Sequence, residues 1–282
     1  SPSILHIDQV HESGVVLNKL FQVISKCINL IILSICCLYA GNDLTELSGL
    51  RAPGNLQKLT LCKIMLPDSS WTELSKTVSN LTKLKEMSLA HLEMKSLVLN
   101  ELLQGISKCE NLKILSMCYI HAGSDLVEFS GLRALHKLEK LTVCKVTIPD
   151  SSWKELSETI SGLIKLKEIS LAHFEMKNCF IKVHNLTKLE VLQMREIELE
   201  ETLWSKLGNE IISLPKLKKL ELISCKISKK GHLYILDAVK HSSLYLKMTE
   251  TSDLGDSEML YLDMVVTSKN TKKTKTAKIT SH

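Results

Sequence analysis

The chain has 282 residues, of which 44% are hydrophobic and 24% are charged, as expected for a water-soluble folded protein with a sizeable core. The sequence has no run of 18 apolar residues that could span a membrane, so we expect no membrane partner. Because aromatic residues make up only 4% of the sequence, a base-stacking nucleic-acid binder is disfavoured.

The net charge of +5 comes from the C-terminus. Residues 267–282 contain five lysines and no acidic residue, and the 31 remaining basic residues balance the 31 acidic ones. We therefore expect a neutral folded part without a nucleic-acid partner, followed by a disordered basic tail over 267–282. A solvated end is the simplest interpretation of this tail, and a weak electrostatic anchor or targeting signal is the alternative.

The N-terminus and the cysteines bear on the compartment. We expect that Ser1-Pro2-Ser3 is not the start of a signal peptide and that it lies inside a longer protein. The nine cysteines form no zinc-finger pattern, which favours a reduced, cytoplasmic setting. The sequons at Asn80 and Asn185 would allow glycosylation if the chain were secreted.

The sequence contains a long internal duplication. Residues 21–98 align without gaps to residues 103–180, with 49 identities in 78 positions. A shorter pattern, L-x-x-L-x-L, recurs every 23 to 28 residues, from Leu30-x-x-Leu33-x-Ile35 to Leu217-x-x-Leu220-x-Leu222. Weaker copies near both ends bring the total to ten predicted strands. Alternation places the leucines of each strand in a core and the residue between them on the opposite face.

Apolar residues at helical spacing follow several of the strands. Trp71, Trp153 and Trp204 share one repeat position, which predicts that they lie in the core of the helix layer. Ser70 with Glu73, and Ser152 with Glu155, match the capping-box pattern at helix starts. The predicted helices are 69–80, 97–108, 151–162, 200–213 and 229–241.

A strand and a helix every 23 to 28 residues resemble a leucine-rich repeat, and this resemblance covers residues 1–250. It implies an α/β solenoid (horseshoe) of about ten repeats, with a parallel β-sheet on the concave face and helices on the convex face. Residues 251–266 are then expected to form a C-terminal capping segment before the tail.

The repeat length resembles the ribonuclease-inhibitor-like class of leucine-rich repeats. Full agreement with its L-x-x-L-x-L-x-x-N/C-x-L pattern occurs only at the repeat that contains Cys225. Elsewhere the Asn or Cys position is apolar, so polar groups of the turns must be satisfied in another way. These apolar residues are Ile64, Leu92, Ile120, Val146, Phe174 and Ile197.

The segment Leu59-Thr-Leu-Cys-Lys-Ile-Met-Leu-Pro-Asp68 looks like the C-terminal repeats of NOD-like receptors, of the neuronal apoptosis inhibitory protein type. The resemblance implies a non-enzymatic protein-binding domain in ligand sensing and autoinhibition within an intracellular innate immune receptor. A nucleotide-binding domain is then expected upstream, since this chain has no P-loop. The alternatives are a free-standing scaffold or inhibitor, and the substrate-recognition arm of a ubiquitin ligase.

No residue pattern indicates catalysis, a cofactor or a metal site. Ser88 with His91, and their copies Ser170 with His173, lack an orienting acid and an oxyanion hole. Lys58 and Glu86 are expected to form a cross-strand charge pair. Cys36 with Cys62, and Cys118 with Cys144, lie on neighbouring predicted strands, where free thiols are favoured over disulfides.

The concave face is the candidate surface for a protein partner or protein ligand. Its early repeats offer small side chains, and its last repeats offer larger polar ones. β-Propensity and duplication are an alternative origin of the small residues, and a solvated terminal cap is an alternative role for the last ones. The candidate protein-binding residues are Lys63, His91, Tyr119, Lys145, His173, Gln193, Arg195, Glu221 and Tyr245.

Overall fold

The computed structural model describes residues 2–12, 14–40, 54–176, 181–240, 244–250 and 264–266. Strands alternate with helices or loops along the chain, which divides into two compact units, Ser1–Thr159 and Ile160–His282. The α/β leucine-rich-repeat architecture with ten parallel strands, predicted from the L-x-x-L-x-L pattern, is confirmed.

The described residues of the first unit form six strands, and successive strands within the unit pair in parallel. A 3-10 helix at Ser130–Ala134 lies between the fifth and sixth strands. The strands are β1 (Ile4–Glu12), β2 (Ile32–Ala40), β3 (Lys58–Met65), β4 (Glu86–Glu93), β5 (Ile114–His121) and β6 (Lys140–Thr147). The helices are α1 (Gly14–Ser25), α2 (Asp68–Val78), α3 (Ser96–Ser107) and α4 (Asp150–Ser161), whose last two residues belong to the second unit.

The described residues of the second unit form four further parallel strands and two complete helices. A short strand, β11 (Met264–Val266), pairs antiparallel with β10 and lies in the predicted capping segment. Residues 251–263 and the predicted basic tail 267–282 lie outside the described residues. The elements are β7 (Glu168–Met176), β8 (Val191–Leu199), α5 (Glu201–Ile212), β9 (Lys219–Cys225), α6 (Lys229–Val239) and β10 (Tyr245–Glu250).

Alternation along the strands positions the core. In β3, Leu59 and Leu61 are each 1% exposed, while Thr60 between them is partly exposed on the opposite face. The three tryptophans are buried as predicted, in α2, α4 and α5. The buried face of the strands is therefore the one that the helices cover, and we call the opposite face the outer sheet face.

The predicted helices are confirmed, but the capping boxes are wrong. α2 begins at Asp68, and the Pro67 carbonyl accepts hydrogen bonds from the backbone N–H groups of Ser70 (3.0 Å) and Trp71 (3.1 Å). Ser70 therefore lies inside the first turn, and no side chain caps α2.

In α4 the corresponding polar side chains face the preceding connection. The Ser152 hydroxyl accepts a hydrogen bond from the Val127 N–H at 2.8 Å. The Glu155 carboxylate accepts from the N–H groups of Phe129 (3.0 Å) and Ser130 (2.8 Å). These side chains satisfy the backbone of a connection that has no α-helix of its own, and so they do not cap α4.

We expect the Gly105→Ala substitution to destabilise the protein by about 1–3 kcal/mol. At an exposed position inside a helix, alanine is normally more favourable than glycine by about 1 kcal/mol. Here a Cβ atom at position 105 would lie 2.4 Å from the Ser75 carbonyl oxygen, so α2 and α3 would have to separate. Urea denaturation measures the effect. The control is Gly54→Ala, where no heavy atom lies within 4 Å of the added Cβ, and a stabilised Gly105→Ala protein would contradict the prediction.

Candidate functional site

Each strand from β1 to β9 contains one residue in the left-handed backbone region. None of the nine is glycine, asparagine or aspartate, and for other residues this conformation costs about 1–2 kcal/mol. We call the residues of each unit its bulge row. The first unit has Gln9, Cys37, Lys63, His91, Tyr119 and Lys145, and the second has His173, Glu196 and Ser224, with φ between 47° and 60°.

The bulge rows arise from a regular interruption of strand pairing. Between β2 and β3, Cys36 pairs with Cys62 and Leu38 pairs with Ile64, so Cys37 and Lys63 are left out of the register. Each strand therefore carries a β-bulge with two successive side chains on the outer sheet face. The strand then resumes with a buried aliphatic residue, as at Ile64, which is 2% exposed.

The bulges explain the apolar residues at the expected Asn or Cys position. That position does not lie in a turn, because the strand pairing continues through it and satisfies its backbone groups. In the sequence, the bulge is indicated by the spacing L-x-x-I that begins at the second leucine of a strand. Uninterrupted alternation would place the next buried residue two positions after that leucine, whereas here it lies three positions after it.

In the first unit, the bulge row brings four candidate residues onto consecutive strands. The rings of His91 and Tyr119 stack with centroids 4.5 Å apart and planes 9° from parallel. The Lys145 ammonium lies 5.5 Å from the centre of the Tyr119 ring, within the range of a cation–π interaction. Lys63 is exposed on β3, the strand beside His91. A shallow depression of about 230 Å³ borders the three stacked side chains.

In the second unit, the bulge row contains a contact between a histidine and a carboxylate. The imidazole Nδ1 of His173 lies 2.8 Å from a carboxylate oxygen of Glu196. These two residues border a depression of about 530 Å³, which also includes Ser224 and Lys226. Sequence reasoning placed His173 among the binding residues, and the structure shows its imidazole directed at Glu196.

The structure assigns different surroundings to the candidates of the last repeats. Gln193 donates a hydrogen bond of 2.5 Å to the Glu221 carboxylate, and Lys219 lies 3.0 Å from the same carboxylate. Glu221 is only 8% exposed, so it is largely engaged within the sheet. Arg195 remains exposed on β8.

The predicted position of Tyr245 is wrong by two residues. Tyr245 pairs with Lys219, and Lys247 is the neighbour of Glu221. Since side chains alternate along a strand, a shift of two keeps the same face outward, and Leu246 and Met248 form the buried pair.

The remaining outer-face predictions concern small residues and charges. Ser34, Thr60, Ser88, Ser116 and Thr142 align on successive strands, as predicted. The predicted Lys58–Glu86 pair is confirmed, with 2.8 Å between nitrogen and oxygen.

The eight cysteines that the structure describes are free thiols. Within the described ranges, no group of three His, Cys, Asp or Glu side chains could hold a metal ion. No helix among the described residues is long and apolar enough to cross a membrane.

No family model matches this sequence, and no curated protein sequence does either. Among solved structures, the chain is similar to an internalin from Listeria monocytogenes, with 18% identity and a TM-score of 0.46 over 84% of this chain and 71% of that one. It is also similar to TLR13 in a complex with ssRNA13, with 17% identity and a TM-score of 0.40 over 79% of this chain and 38% of that one.

We expect the Glu221→Gln substitution to make the free energy of unfolding less dependent on pH in the acidic range. Burial favours a higher pKa for the Glu221 carboxyl, but hydrogen bonds from Lys219 and Gln193 outweigh it and hold the pKa below its usual value. A lowered folded-state pKa contributes stability that is complete above the unfolded-state pKa and is lost as pH falls through the folded-state pKa. At pH 7 the variant should be about 1–2 kcal/mol less stable.

Urea midpoints measured from pH 7 down to pH 3 check this expectation. The midpoint should fall further for the parent chain than for Glu221→Gln. The matched control is Glu110→Gln at an exposed position, which should follow the parent. Equal pH dependence in all three proteins would contradict the prediction.

Cys109 and Cys225 should be the thiols that resist alkylation most strongly. Burial raises the pKa of the Cys109 thiol to about 12 and that of Cys225 to about 11, and the thiolate is the reactive form. With iodoacetamide at pH 7.5, peptide mass spectrometry should find Cys37, which is partly exposed, labelled in the folded chain. Cys109 and Cys225 should react only after unfolding in urea, and labelling of all three at one rate would refute the expectation.

Proposed function

We propose that this chain is a non-enzymatic protein-binding domain and that its outer sheet face is the binding surface. The observation that carries the proposal is the bulge row of the first unit, where strained backbone positions hold exposed side chains on consecutive strands. Such strain is concentrated at functional sites in proteins. The ring of His91 is stacked on Tyr119, which supports a binding role.

We further propose that the domain serves ligand sensing and autoinhibition in a cytoplasmic innate immune receptor. The segment Leu59–Asp68, with its resemblance to NOD-like receptor repeats, supports this assignment. Sequencing the full-length transcript tests it. A nucleotide-binding domain upstream of Ser1 is expected, whereas an upstream F-box would favour a ubiquitin-ligase arm, and a stop codon just before Ser1 would favour a free-standing scaffold or inhibitor.

The binding surface is tested by capture of partners from a cell extract with the full chain as bait. We expect Tyr119→Ala combined with Arg195→Glu to reduce capture of the main partner at least about tenfold, because aromatic and arginine side chains dominate interface energies. The control pair is Lys76→Glu with Lys154→Glu, both exposed on helices. Loss of capture in the helix variants alone would overturn the assignment to the outer sheet face.

A further inference from the structure

The internal duplication provides two copies of one stretch of bulge row, and the bulge residue that follows each copy differs in charge. Lys63 and His91 correspond to Lys145 and His173, 82 residues later. The next bulge position is Tyr119 after His91, but Glu196 after His173. In the second unit, Glu196 provides a carboxylate for its histidine at 2.8 Å. In the first unit, an aromatic ring occupies the equivalent place, so the row is basic.

The two lysines of the first unit's bulge row have no acidic partner among the residues that the structure describes. Lys63 and Lys145 are both exposed, and neither forms an ion pair with a described carboxylate. Nearby lysines do form such pairs, as Lys58 does with Glu86 at 2.8 Å. Because lysines nearby on the same surface have carboxylate partners within the chain, the unpaired ammonium groups of these two lysines favour an acidic ligand.

The depression beside the stack contains one carboxylate among its lining residues, that of Glu93. Glu93 is the register partner of His121 on the neighbouring strand. Glu93 therefore lies two positions after the bulge residue of β4 and beside an imidazole, and the bulge row itself contains no carboxylate in the first unit.

The aromatic ring of Tyr119 does not suit base stacking. Its neighbours in the row are His91 on β4 and Lys145 on β6, which lie on opposite sides of β5. The imidazole stacks on the ring, and the ammonium lies over it. With both faces used, the ring separates two basic groups and offers no free face to a nucleobase.

We propose that Lys63, His91, Tyr119 and Lys145 form a binding site for an extended acidic peptide segment of a protein partner. The site rests on the proposed protein-binding function and names the chemistry of the partner. Lys63 and Lys145 lie on strands three spacings apart, about 14 Å at about 4.8 Å per strand. In an extended peptide, residues four apart are separated by about 13 Å. Two acidic residues with three residues between them therefore match the two lysines.

The test uses fluorescence anisotropy with a fluorescein-labelled octaglutamate peptide at low ionic strength. All proteins are full-length and carry Lys→Gln changes at the five tail lysines 269, 272, 273, 275 and 278, so the tail cannot account for binding. We expect Lys63→Gln with Lys145→Gln to weaken binding at least about fivefold, since two exposed charge pairs are removed. The control is Lys76→Gln with Lys108→Gln, which removes the same charge from exposed positions on the helix side.

Substitutions of Tyr119 test whether its ring is needed to separate the two basic groups of the site. Tyr119→Phe keeps the ring and should leave the peptide affinity within about twofold. Tyr119→Glu copies the residue type of the second unit and should abolish binding to octaglutamate. A matched octalysine peptide should not bind the parent.

Three results would overturn the proposal. One is unchanged octaglutamate affinity in the Lys63→Gln/Lys145→Gln variant, and another is an equal loss in the helix-side control. The third is tighter binding of a thymidine octamer that is lost in the same variant, which would identify a nucleic-acid site instead. If the acidic peptide fails these tests while Tyr119→Ala with Arg195→Glu still abolishes partner capture, protein binding stands and only the acidic specificity is discarded.

Discussion

Burial of the paired leucines is the constraint on which the rest of the structure depends. One strand and one helix cannot enclose residues such as Leu59 and Leu61, so each repeat needs its neighbours to exclude water. Neighbouring strands must then keep one register, in which every buried residue lies beside another buried residue. A slip of one residue would turn each leucine toward water, which makes the register hard to change.

The bulges are compatible with this constraint because they occur at the same place in each strand from β1 to β9. An extra residue in one strand alone would break the register with both neighbours. When all strands contain it, as at Cys37 and Lys63, pairing resumes at Leu38 and Ile64 with the buried face unchanged. The left-handed conformation is thus repeated from β1 to β9, and the side chain that occupies it differs between repeats.

The sequence predicted the strands and most helices well, because burial imposes periods that are visible in the residues. It predicted less of the site. The candidates of the bulge row were identified by their position in the repeat, but their stacking depends on backbone angles that no single residue type indicates, since glycine is absent from the row. The burial of Glu221 was missed because it results from Gln193 and Lys219, which lie 28 and two residues away. The shift at Tyr245 escaped notice because Leu244 and Leu246 both look like core residues.

The hydrogen bonds from the connection at Val127–Ser130 to Ser152 and Glu155 also bear on how the gene grew. The connection of this repeat has no α-helix, and oxygens of the following repeat satisfy the amides of Val127, Phe129 and Ser130, while Asn100 of the preceding repeat accepts from the Glu128 N–H. Copying one repeat would leave exposed or unmatched amides, whereas copying a longer block carries the connection together with most of its acceptors. The duplicated segment 103–180 includes the connection, Ser152 and Glu155. Selection for intact amide partners would therefore favour growth in blocks of three repeats over growth one repeat at a time.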